Sequence, residues 1–458
     1  MDVRTGVATR LIDRIPLEVL QEIFLQCLVP LPVTAGLQHP WDDLLKHTPS
    51  TAPLLLCQIG RSWRQAAISF PNIWTSLNVF VSRGKAQPSA PLATTWLARS
   101  GSLPLSLSVH QVNGLDDNSI TAREIVEIFQ RYTSRWCNIH LDLNTPITQN
   151  MSTPMLKEFS IRECSSSLSH QNLLDLPKIC ASAPCLSNLR VSIPNLNFLY
   201  SKSIPWFQLS FLSLGCIPSV SASLYVLDNC HNLTNVYFNV DSLSGPFPFT
   251  RVCHHKLRSL SINIGLAELS LFLEYVTFPE LIQATFLGSQ WPSQYNGWPQ
   301  TKLEEFLERS RCKLVHLEMQ ETGMSYTDFA ACVCHRSLQS LVRFILMDTR
   351  NWEWDPVVTD QAIGLLTCPS SALGGPFLPN LEVVSIKGTL LRATDGMAAK
   401  MVESRWRFYH LNGFKKLKRV ELEMPWHHHK KDRQRLNEFY DEGLELDLEP
   451  SDVVKKWQ

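Results

Sequence analysis

The chain has 458 residues, 44% of them hydrophobic, so it is longer than one typical domain and has the apolar material for a large core. Lysine plus arginine and aspartate plus glutamate number 42 each, which excludes the overall cationic field that would concentrate the protein on nucleic acid or an anionic membrane. We therefore expect a protein partner, with no nucleic acid and no membrane among the binding partners.

The amino-terminal segment does not have the pattern of a secretory signal. Residues 1–12 contain Asp2, Arg4 and Arg10, which interrupt any apolar core, and no later apolar stretch reaches the roughly 18 residues of a membrane span. The 13 cysteines are an odd number and stand mostly at apolar positions, which is typical of free thiols in a reducing compartment. We expect a protein of the cytoplasm, the nucleus or both.

Two helical patterns come first along the chain. Apolar residues recur at intervals of three and four after Pro16 as far as Leu28, and again between Leu54 and Ala67. Gly60 lies within the second pattern and costs a helix interior roughly 1 kcal/mol relative to alanine, so a bend or break is expected there. So small a helical module cannot bury all of its large apolar side chains, and another polypeptide or domain is expected to cover them.

The residues of these helices resemble a known motif. The segments that carry the resemblance are Ile15-Pro16-Leu17-Glu18-Val19-Leu20, Ile23-Phe24, Cys57, Arg61-Ser62-Trp63-Arg64 and Pro71-Asn72-Ile73-Trp74. Their order and residue types are similar to the F-box, although the loop over residues 29–53 is long and Ile59-Gly60 stands where the family more often has valine-cysteine. The resemblance implies docking on the Skp adaptor of cullin-RING ubiquitin ligases. The adaptor-binding residues that it implies are Pro16, Leu17, Leu20, Ile23, Phe24, Leu55, Ile59 and Trp74.

A second pattern recurs farther along the chain. An apolar-x-x-apolar-x-apolar segment begins at five positions spaced by 23, 24, 24 and 24 residues, namely Leu186, Leu209, Leu233, Leu257 and Leu281. Similar segments begin with irregular gaps at Trp136, Leu156, Leu314, Leu341, Leu381 and Leu417. Helix-like stretches lie between many of them, at residues 171–183, 266–278, 301–313 and 397–411.

A strand followed by a helix every 20 to 29 residues or so is typical of a leucine-rich repeat. The asparagine or cysteine that usually stands at the ninth position is missing, so the repeats are degenerate, and a different α/β fold stays open. The predicted fold class is α/β, with a small N-terminal helical F-box followed by a curved leucine-rich-repeat-like solenoid with a parallel sheet. The predicted domains are a tail at 1–13, the F-box-like module at 14–80, the repeats at 81–425 and a charged tail at 426–458.

Strand residues that alternate with the apolar ones point away from the core, toward the concave face on which such solenoids usually bind proteins. These positions are neutral and amide-rich in the middle of the chain and acidic at its end. The expected target-binding residues are Arg190, Asn235, Tyr237, Asn239, Asn263, His316 and Glu318. For each of them taken singly, an ordinary solvated strand position is the alternative.

Metal and catalytic motifs give no comparable signal. Cys332-Val333-Cys334-His335 and Cys253-His254-His255 hold zinc-binding residue types but lack the paired spacing of a structural zinc site, and residues 427–429 are predicted as a solvated histidine run. Phosphate-loop, dinucleotide-binding, metalloprotease and nucleophile-elbow motifs are missing from the sequence. We expect no enzyme activity, no cofactor and no metal.

The resemblance thus implies a substrate-recognition subunit of a Skp-cullin-F-box ubiquitin ligase, which reaches a cullin through a Skp-type adaptor and holds an unknown target protein on the repeats. The alternative is a leucine-rich-repeat scaffold or inhibitor that binds a protein partner with no ubiquitin-ligase role, its N-terminal helices serving as a solenoid cap. The two differ in whether the apolar side chains of the N-terminal helices are exposed or sealed under the chain's own fold.

Overall fold

The computed structural model of the chain describes residues 15–28, 47–48, 50–112, 116–142, 151–162, 176–193, 196–241, 250–288, 297–347, 358–368, 377–388, 393–424 and 429–450. The chain divides into two compact units, Met1–Leu209 and Ser210–Gln458. Both units combine helices with mostly parallel strands, so the predicted mixed α/β class is confirmed. Among the helices of these described ranges, none is both long enough and apolar enough to cross a bilayer.

The first unit begins with helices and continues with alternating strands and helices. Its helices are α1 (Leu17–Gln26), α2 (Leu56–Ile59), α3 (Arg61–Ile68), α4 (Ala90–Arg99), α5 (Asp116–Gln130) and α6 (Leu176–Ala181). Its strands are β1 (Ser76–Ser82), β2 (Lys85–Gln87), β3 (Leu105–Gln111), β4 (Trp136–Asp142), β5 (Glu158–Arg162) and β6 (Asn188–Ser192). Gly60 separates α2 from α3 in an extended conformation, which confirms the break predicted there.

The strands of the first unit lie in the order β6-β5-β4-β3-β1-β2. All the pairs are parallel except β1 with β2, which form an antiparallel pair at the end of the row. Strand β1 starts at Ser76, inside the 14–80 range predicted for the helical module, and it pairs with β3 in register from Ser76 opposite Ser106. The helical module therefore leads directly into the first strand of the sheet.

The second unit repeats strand and helix along most of its length. Its main strands are β7 (Phe211–Ile217), β8 (Asn235–Val240), β10 (Ser259–Ile264), β12 (Gln283–Gly288), β13 (His316–Gln320), β14 (Arg343–Met347), β15 (Val383–Lys387), β16 (Arg419–Met424) and β17 (Glu445–Pro450). Two short strands, β9 (Val252–Cys253) and β11 (Val276–Thr277), pair with each other. The helices are α7 (Val220–Asn229), α8 (Leu266–Tyr275), α9 (Gln300–Ser310), α10 (Tyr326–Cys334), α11 (Asp360–Leu366), α12 (Met397–Trp406) and α13 (Lys430–Asp441).

The main strands of the second unit form a parallel sheet in sequence order, β7 to β17. The predicted period appears in its backbone bonding: Thr234 N donates to Ser210 O (2.8 Å), Arg258 N to Thr234 O (2.8 Å) and Ile282 N to Arg258 O (2.9 Å). Each bond joins equivalent positions 24 residues apart. The parallel sheet of stacked repeats predicted from the sequence is confirmed, whereas its curvature stays a prediction.

The apolar positions of the predicted repeat are buried in the core of each unit. In the five regularly spaced segments, every such side chain is at most 3% exposed. These side chains are Leu186, Leu189, Val191, Leu209, Leu212, Leu214, Leu233, Val236, Phe238, Leu257, Leu260, Ile262, Leu281, Ala284 and Phe286. Parallel register places Leu260 between Val236 and Ala284, so each strand buries its apolar residues against the equivalent residues of its neighbours.

The segment predicted as a charged C-terminal tail contains folded structure. Helix α13 and strand β17 lie within residues 426–458, and β17 pairs in parallel with β16 from Arg419 opposite Glu445 to Met424 opposite Pro450. Leu436, Phe439 and Leu444 are at most 1% exposed. Charged residues surround these few apolar positions, so the composition of the segment predicted a tail. The structure instead has a further helix and strand of the repeat type there.

Two arginines bind carbonyl groups at or beyond the carboxyl ends of helices in preceding repeats. Arg405, fully buried in α12, donates to the carbonyl oxygens of Leu366 (2.5 Å), Leu378 (2.9 Å) and Phe377 (2.7 Å). Arg309 in α9 donates in the same way to the carbonyl oxygen of Val276 (2.9 Å), just beyond α8. The last carbonyl groups of a helix lack partners within it and carry a partial negative charge, so a guanidinium satisfies both needs.

Replacement of Arg405 by methionine should therefore destabilise the second unit. The change leaves three carbonyl groups without their buried donor, and we expect a loss of roughly 3 kcal/mol in the free energy of unfolding. Chemical denaturation followed by circular dichroism measures it. Arg407→Met is the matched control, since Arg407 is 37% exposed and pairs at the surface with Glu403 and Glu442. An equal loss of unfolding free energy in the two variants would show that the buried hydrogen bonds of Arg405 stabilise the fold no more than the surface ion pairs of Arg407 do.

Candidate functional site

The N-terminal helices bury part of their apolar surface against one another. Leu20 and Phe24, four residues apart on one face of α1, are 6% and 0% exposed. The Phe24 ring lies 5.3 Å from the ring of Trp63 in α3, centroid to centroid, at a tilt of 55°. Leu56 of α2 is also buried. These residues are the internal core of the helical module.

Trp74 joins the module to the following helix. Its indole Nε1 donates to the carbonyl oxygen of Ala67 (2.8 Å), and its ring meets that of Trp96 in α4 edge to face at 5.0 Å. The Arg99 guanidinium lies over the Trp74 ring at 4.6 Å. Trp74 is 0% exposed, so it contributes packing and a satisfied hydrogen bond rather than accessible surface.

Three of the residues expected to contact an adaptor are therefore sealed inside the first unit. Leu20, Phe24 and Trp74 cannot contact a second protein in this conformation, because the chain's own side chains cover them. The sequence pattern marks them as apolar helix positions but does not say which neighbour covers each face. Their expected role is corrected from adaptor contact to support of the module.

The remaining positions are accessible. Leu17, Leu55 and Ile59 are 48%, 42% and 44% exposed, Pro16 is exposed, and Ile23 is half-buried. Three further exposed apolar side chains on these helices were missed in the sequence analysis. We use the name N-terminal apolar surface for the exposed apolar side chains of this module, which lie on more than one side of its helices: Leu17, Val19, Leu25, Leu55, Ile59 and Ile68. Burying one such side chain completely is worth about 1.5 to 3 kcal/mol, so this surface favours contact with a partner.

The predicted target-binding residues of the second unit lie on the sheet face opposite the apolar core. Asn235 is exposed, whereas Tyr237, Asn239, Asn263, His316 and Glu318 are half-buried, and all alternate with buried strand residues. Asn239 Nδ2 donates to the carbonyl oxygen of Gly215 (2.6 Å), and burial raises the pKa of Tyr237. The structure thus brings the predicted residues of the second unit onto one sheet, and we call this side its polar face.

Register sets the order of side chains along this polar face. Tyr237, Ser261, Thr285 and Glu318 occupy directly opposed positions on β8, β10, β12 and β13. Neighbouring strands are about 4.8 Å apart, so this row spans about 14 Å. The Glu318 carboxylate accepts from Thr285 Oγ1 (3.3 Å) and from Gln320 Nε2 (2.5 Å). Thr285 did not figure among the expected binding residues, although strand alternation could have identified it.

The first unit carries a polar face of different character. Arg190 lies there, its Nε 3.4 Å from Glu158 Oε1, and burial lowers its pKa. On the neighbouring strands, Arg162 Nε donates to Asp142 Oδ1 (3.2 Å), and His110 Nδ1 lies 3.6 Å from Asp142 Oδ2. Opposed charges on adjacent strands therefore compensate one another on this face.

Asp395, His429 and Asp432 could hold a metal ion by residue type, since their ligand atoms lie within 4.8 Å of one another. The structure explains them as helix caps. Asp395 accepts from the backbone N–H groups of Lys431 (3.1 Å) and Asp432 (3.0 Å) in the first turn of α13, and Asp432 Oδ1 accepts from Ala399 N (2.7 Å) in the first turn of α12. Two positive helix ends point at these carboxylates, which disfavours an added cation.

His429 is buried, with Nδ1 2.9 Å from Asp432 Oδ2. This part of the predicted solvated histidine run is therefore wrong, because the cap network encloses His429; His427 and His428 lie outside the described residues. The two other segments with zinc-binding residue types are separate. Cys332 is buried, and burial raises the pKa of its thiol to about 12.

The second of these segments, residues 253–255, is likewise accounted for without a metal. The His254 ring is buried and its Nε2 lies 2.8 Å from the carbonyl oxygen of Cys230, while Cys253 is exposed with its Sγ 3.4 Å from His255 Nε2. Within the described part of the chain, neither this segment nor residues 332–335 forms a group of three or more clustered ligands.

No protein-family model and no curated protein matches this chain. Among solved structures, the chain is similar to a Bacteroides fragilis protein from a structural-genomics consortium, at 12% sequence identity and a TM-score of 0.26. That similarity covers 79% of this chain and 70% of the other. At this TM-score it contributes no argument about fold or function.

Asp395→Ala should lower the free energy of unfolding by about 1 kcal/mol, because it removes the acceptor for two first-turn N–H groups of α13. Although burial raises the pKa of the Asp395 carboxyl, the N–H groups of Asp432 and Lys431 outweigh that effect and hold it below its ordinary value. A carboxyl with a depressed pKa stabilises the fold above its unfolded-state pKa and loses that effect as pH falls. The difference between wild type and variant should therefore shrink in acid.

The matched control is Asp441→Ala at the end of the same helix, where an exposed carboxylate faces the negative helix end and its loss should cost nothing. Added Zn²⁺ should leave the unfolding midpoint of the wild type unchanged. A Zn²⁺-dependent rise in the midpoint that Asp395→Ala abolishes would contradict a purely capping role.

Proposed function

We propose that this chain is the substrate-recognition subunit of a Skp-cullin-F-box ubiquitin ligase. Its N-terminal helices bind a Skp-type adaptor, and through the adaptor a cullin, while the outward polar strand residues of the repeats bind a target protein. The chain performs no bond chemistry in this role. It holds the target near activated ubiquitin and so raises the effective concentration of the reacting groups.

The N-terminal apolar surface is the observation that carries the proposal. Its exposed members belong to the segments that resemble the F-box or lie beside them, and Leu17, Leu55 and Ile59 are all more than 40% exposed. Large apolar side chains left in water on short helices favour a partner groove. The buried Leu20, Phe24 and Trp74 fit the proposal as the support that holds these helices in place.

Target binding is supported by the architecture of the repeats. A parallel sheet with one face in the core presents its other face as an extended surface, on which backbone groups are already paired and side chains remain available. Arg190 on the first unit and Asn235, Tyr237, Asn239, Asn263, His316 and Glu318 on the second are the proposed contact residues.

One observation favours the second candidate, a leucine-rich-repeat scaffold or inhibitor with no ligase role. The contact of Trp74 with Trp96 fastens the helical module to α4 of the same unit, as a cap on the end of a solenoid would be fastened. The two candidates differ in whether another protein covers the exposed apolar side chains. An adaptor-binding module buries Leu17 and Ile59 against its partner, whereas a cap leaves them in water.

The double variant Leu17→Asp with Ile59→Asp should abolish capture of a purified Skp-type adaptor by the full-length protein. Two carboxylates in an apolar contact would cost at least a hundredfold in affinity, because their desolvation is not compensated. Because both side chains are exposed, the unfolding midpoint should stay close to that of the wild type. Binding is measured by co-purification and by titration calorimetry.

Ile120→Asp is the matched control, because Ile120 is a 70% exposed isoleucine on α5, outside the helical module. This control should bind the adaptor as the wild type does. Failure of the wild-type protein to bind any Skp-type adaptor would overturn the ligase role and leave the scaffold as the better proposal.

A further inference from the structure

The polar face of the second unit contains a carboxylate whose surroundings are short of positive charge. The Glu318 side chain is 14% exposed, and its two hydrogen-bond donors, Thr285 and Gln320, are neutral. His316 Nε2 lies 3.8 Å away, and burial lowers the pKa of His316, which disfavours a positive charge on its ring. Within the described residues, no lysine or arginine nitrogen lies within 4.0 Å of this carboxylate.

A carboxylate that is largely shielded from water is costly unless a cation or several donors compensate it. The two oxygens offer about four acceptor sites, of which Thr285 and Gln320 fill two. Arg343 stands opposite His316 in the register rather than opposite Glu318. Glu318 therefore has the capacity for further donors, and a cation is the most favourable source of them.

A second and independent observation lies two strands away on the same face. Ser261 is only 5% exposed, and its Oγ has no hydrogen-bond partner among the residues the structure describes. The buried Oδ1 of Asn263, on the same strand, likewise accepts no hydrogen bond there. Buried polar atoms without partners are rare in folded proteins because each costs about 1 to 3 kcal/mol, and a bound ligand can supply the partner that such atoms lack.

The unfilled capacity of Glu318 and Asn263 is for donors, whereas the Ser261 hydroxyl lacks both a donor and an acceptor among the described residues. The carboxylate of Glu318 and the amide oxygen of Asn263 can only accept, and the Ser261 hydroxyl can also accept. A guanidinium offers five N–H donors, has no acceptor and carries the missing positive charge. Ser261 lies about 10 Å from Glu318, so a guanidinium bound at Glu318 leaves Ser261 and Asn263 to main-chain N–H groups of the same ligand.

Charge along the rest of the face agrees with a basic ligand. From β13 to β17, the strand positions on this face whose side chains the structure describes carry five carboxylates against three basic side chains. The carboxylates belong to Glu318, Glu421, Glu423, Glu445 and Asp447, and the basic side chains to Arg343, Lys387 and Arg419. Arg419 is already paired with Glu421 at 2.7 Å. The chain as a whole is neutral, so the acidity is local to this surface.

We infer that the polar face of the second unit binds an extended, arginine-containing segment of a target protein, with one guanidinium on Glu318 and main-chain N–H groups on Ser261 and Asn263. The inference rests on the proposed function for the existence of a target and adds its chemical class. It requires no contribution from the N-terminal helices.

The test uses the full-length protein and short synthetic peptides in a glycine-serine background that differ only at the charged positions, which hold arginine, citrulline or glutamate. Citrulline keeps the shape of arginine without its charge. Fluorescence anisotropy at neutral pH and low ionic strength should show the arginine peptide bound at least tenfold more tightly than the citrulline peptide, with the glutamate peptide weakest.

Glu318→Gln should weaken binding of the arginine peptide about tenfold or more and leave the citrulline peptide unaffected. The matched control is Glu280→Gln, an exposed glutamate of the same unit that lies outside the strands. Equal binding of arginine and citrulline peptides, or unchanged binding by Glu318→Gln, would overturn the inference. The comparison of arginine and citrulline peptides uses the wild-type protein. It therefore tests the inference even if Glu318→Gln lowers the unfolding midpoint.

Adaptor capture is a separate measurement and keeps the two proposals apart. Capture of the adaptor without arginine-dependent peptide binding would overturn the inference and leave the ligase role standing. Arginine-dependent binding that requires Glu318, in a protein that captures no adaptor, would support the inference on a scaffold instead.

Discussion

A strand with an apolar row on one side, followed by a helix with an apolar stripe, leaves both exposed to water unless a neighbouring copy covers them. In the second unit the parallel register repeatedly supplies that cover, with Leu260 lying between Val236 and Ala284. Stacking is thus the source of the core, since no strand and helix could remain folded alone. It also leaves one face of the sheet free of the core, and the candidate target-binding residues lie there.

Stacking creates a second requirement at the helix ends. Each helix finishes with carbonyl groups that have no partner of their own, and a neighbouring repeat closes over them. Arg309 and Arg405 meet this requirement from the following repeats, and Asp395 and Asp432 meet the equivalent requirement at the amino ends of α13 and α12. Charged side chains that resemble a binding or metal site in isolation are therefore part of how consecutive repeats are joined.

The two candidate surfaces differ in the physics of recognition. The N-terminal apolar surface offers area to be removed from water, which gives affinity with little dependence on salt. The polar face offers acceptors and net negative charge, which give selectivity for a donor-rich partner and faster association at low salt.

The sequence by itself determined the repeat: the 24-residue spacing, the buried apolar positions, the alternating polar strand residues and the break at Gly60 all follow from local pattern and are present in the structure. Only the tertiary structure decided which N-terminal apolar side chains are covered, so that Leu20, Phe24 and Trp74 are sealed while Leu17 and Ile59 are exposed. It also decided that His429 is buried and that β17 extends the sheet beyond β16. The physical reason is that a periodic sequence pattern identifies apolar positions. Whether each apolar side chain is buried depends on neighbours that lie far away in the chain.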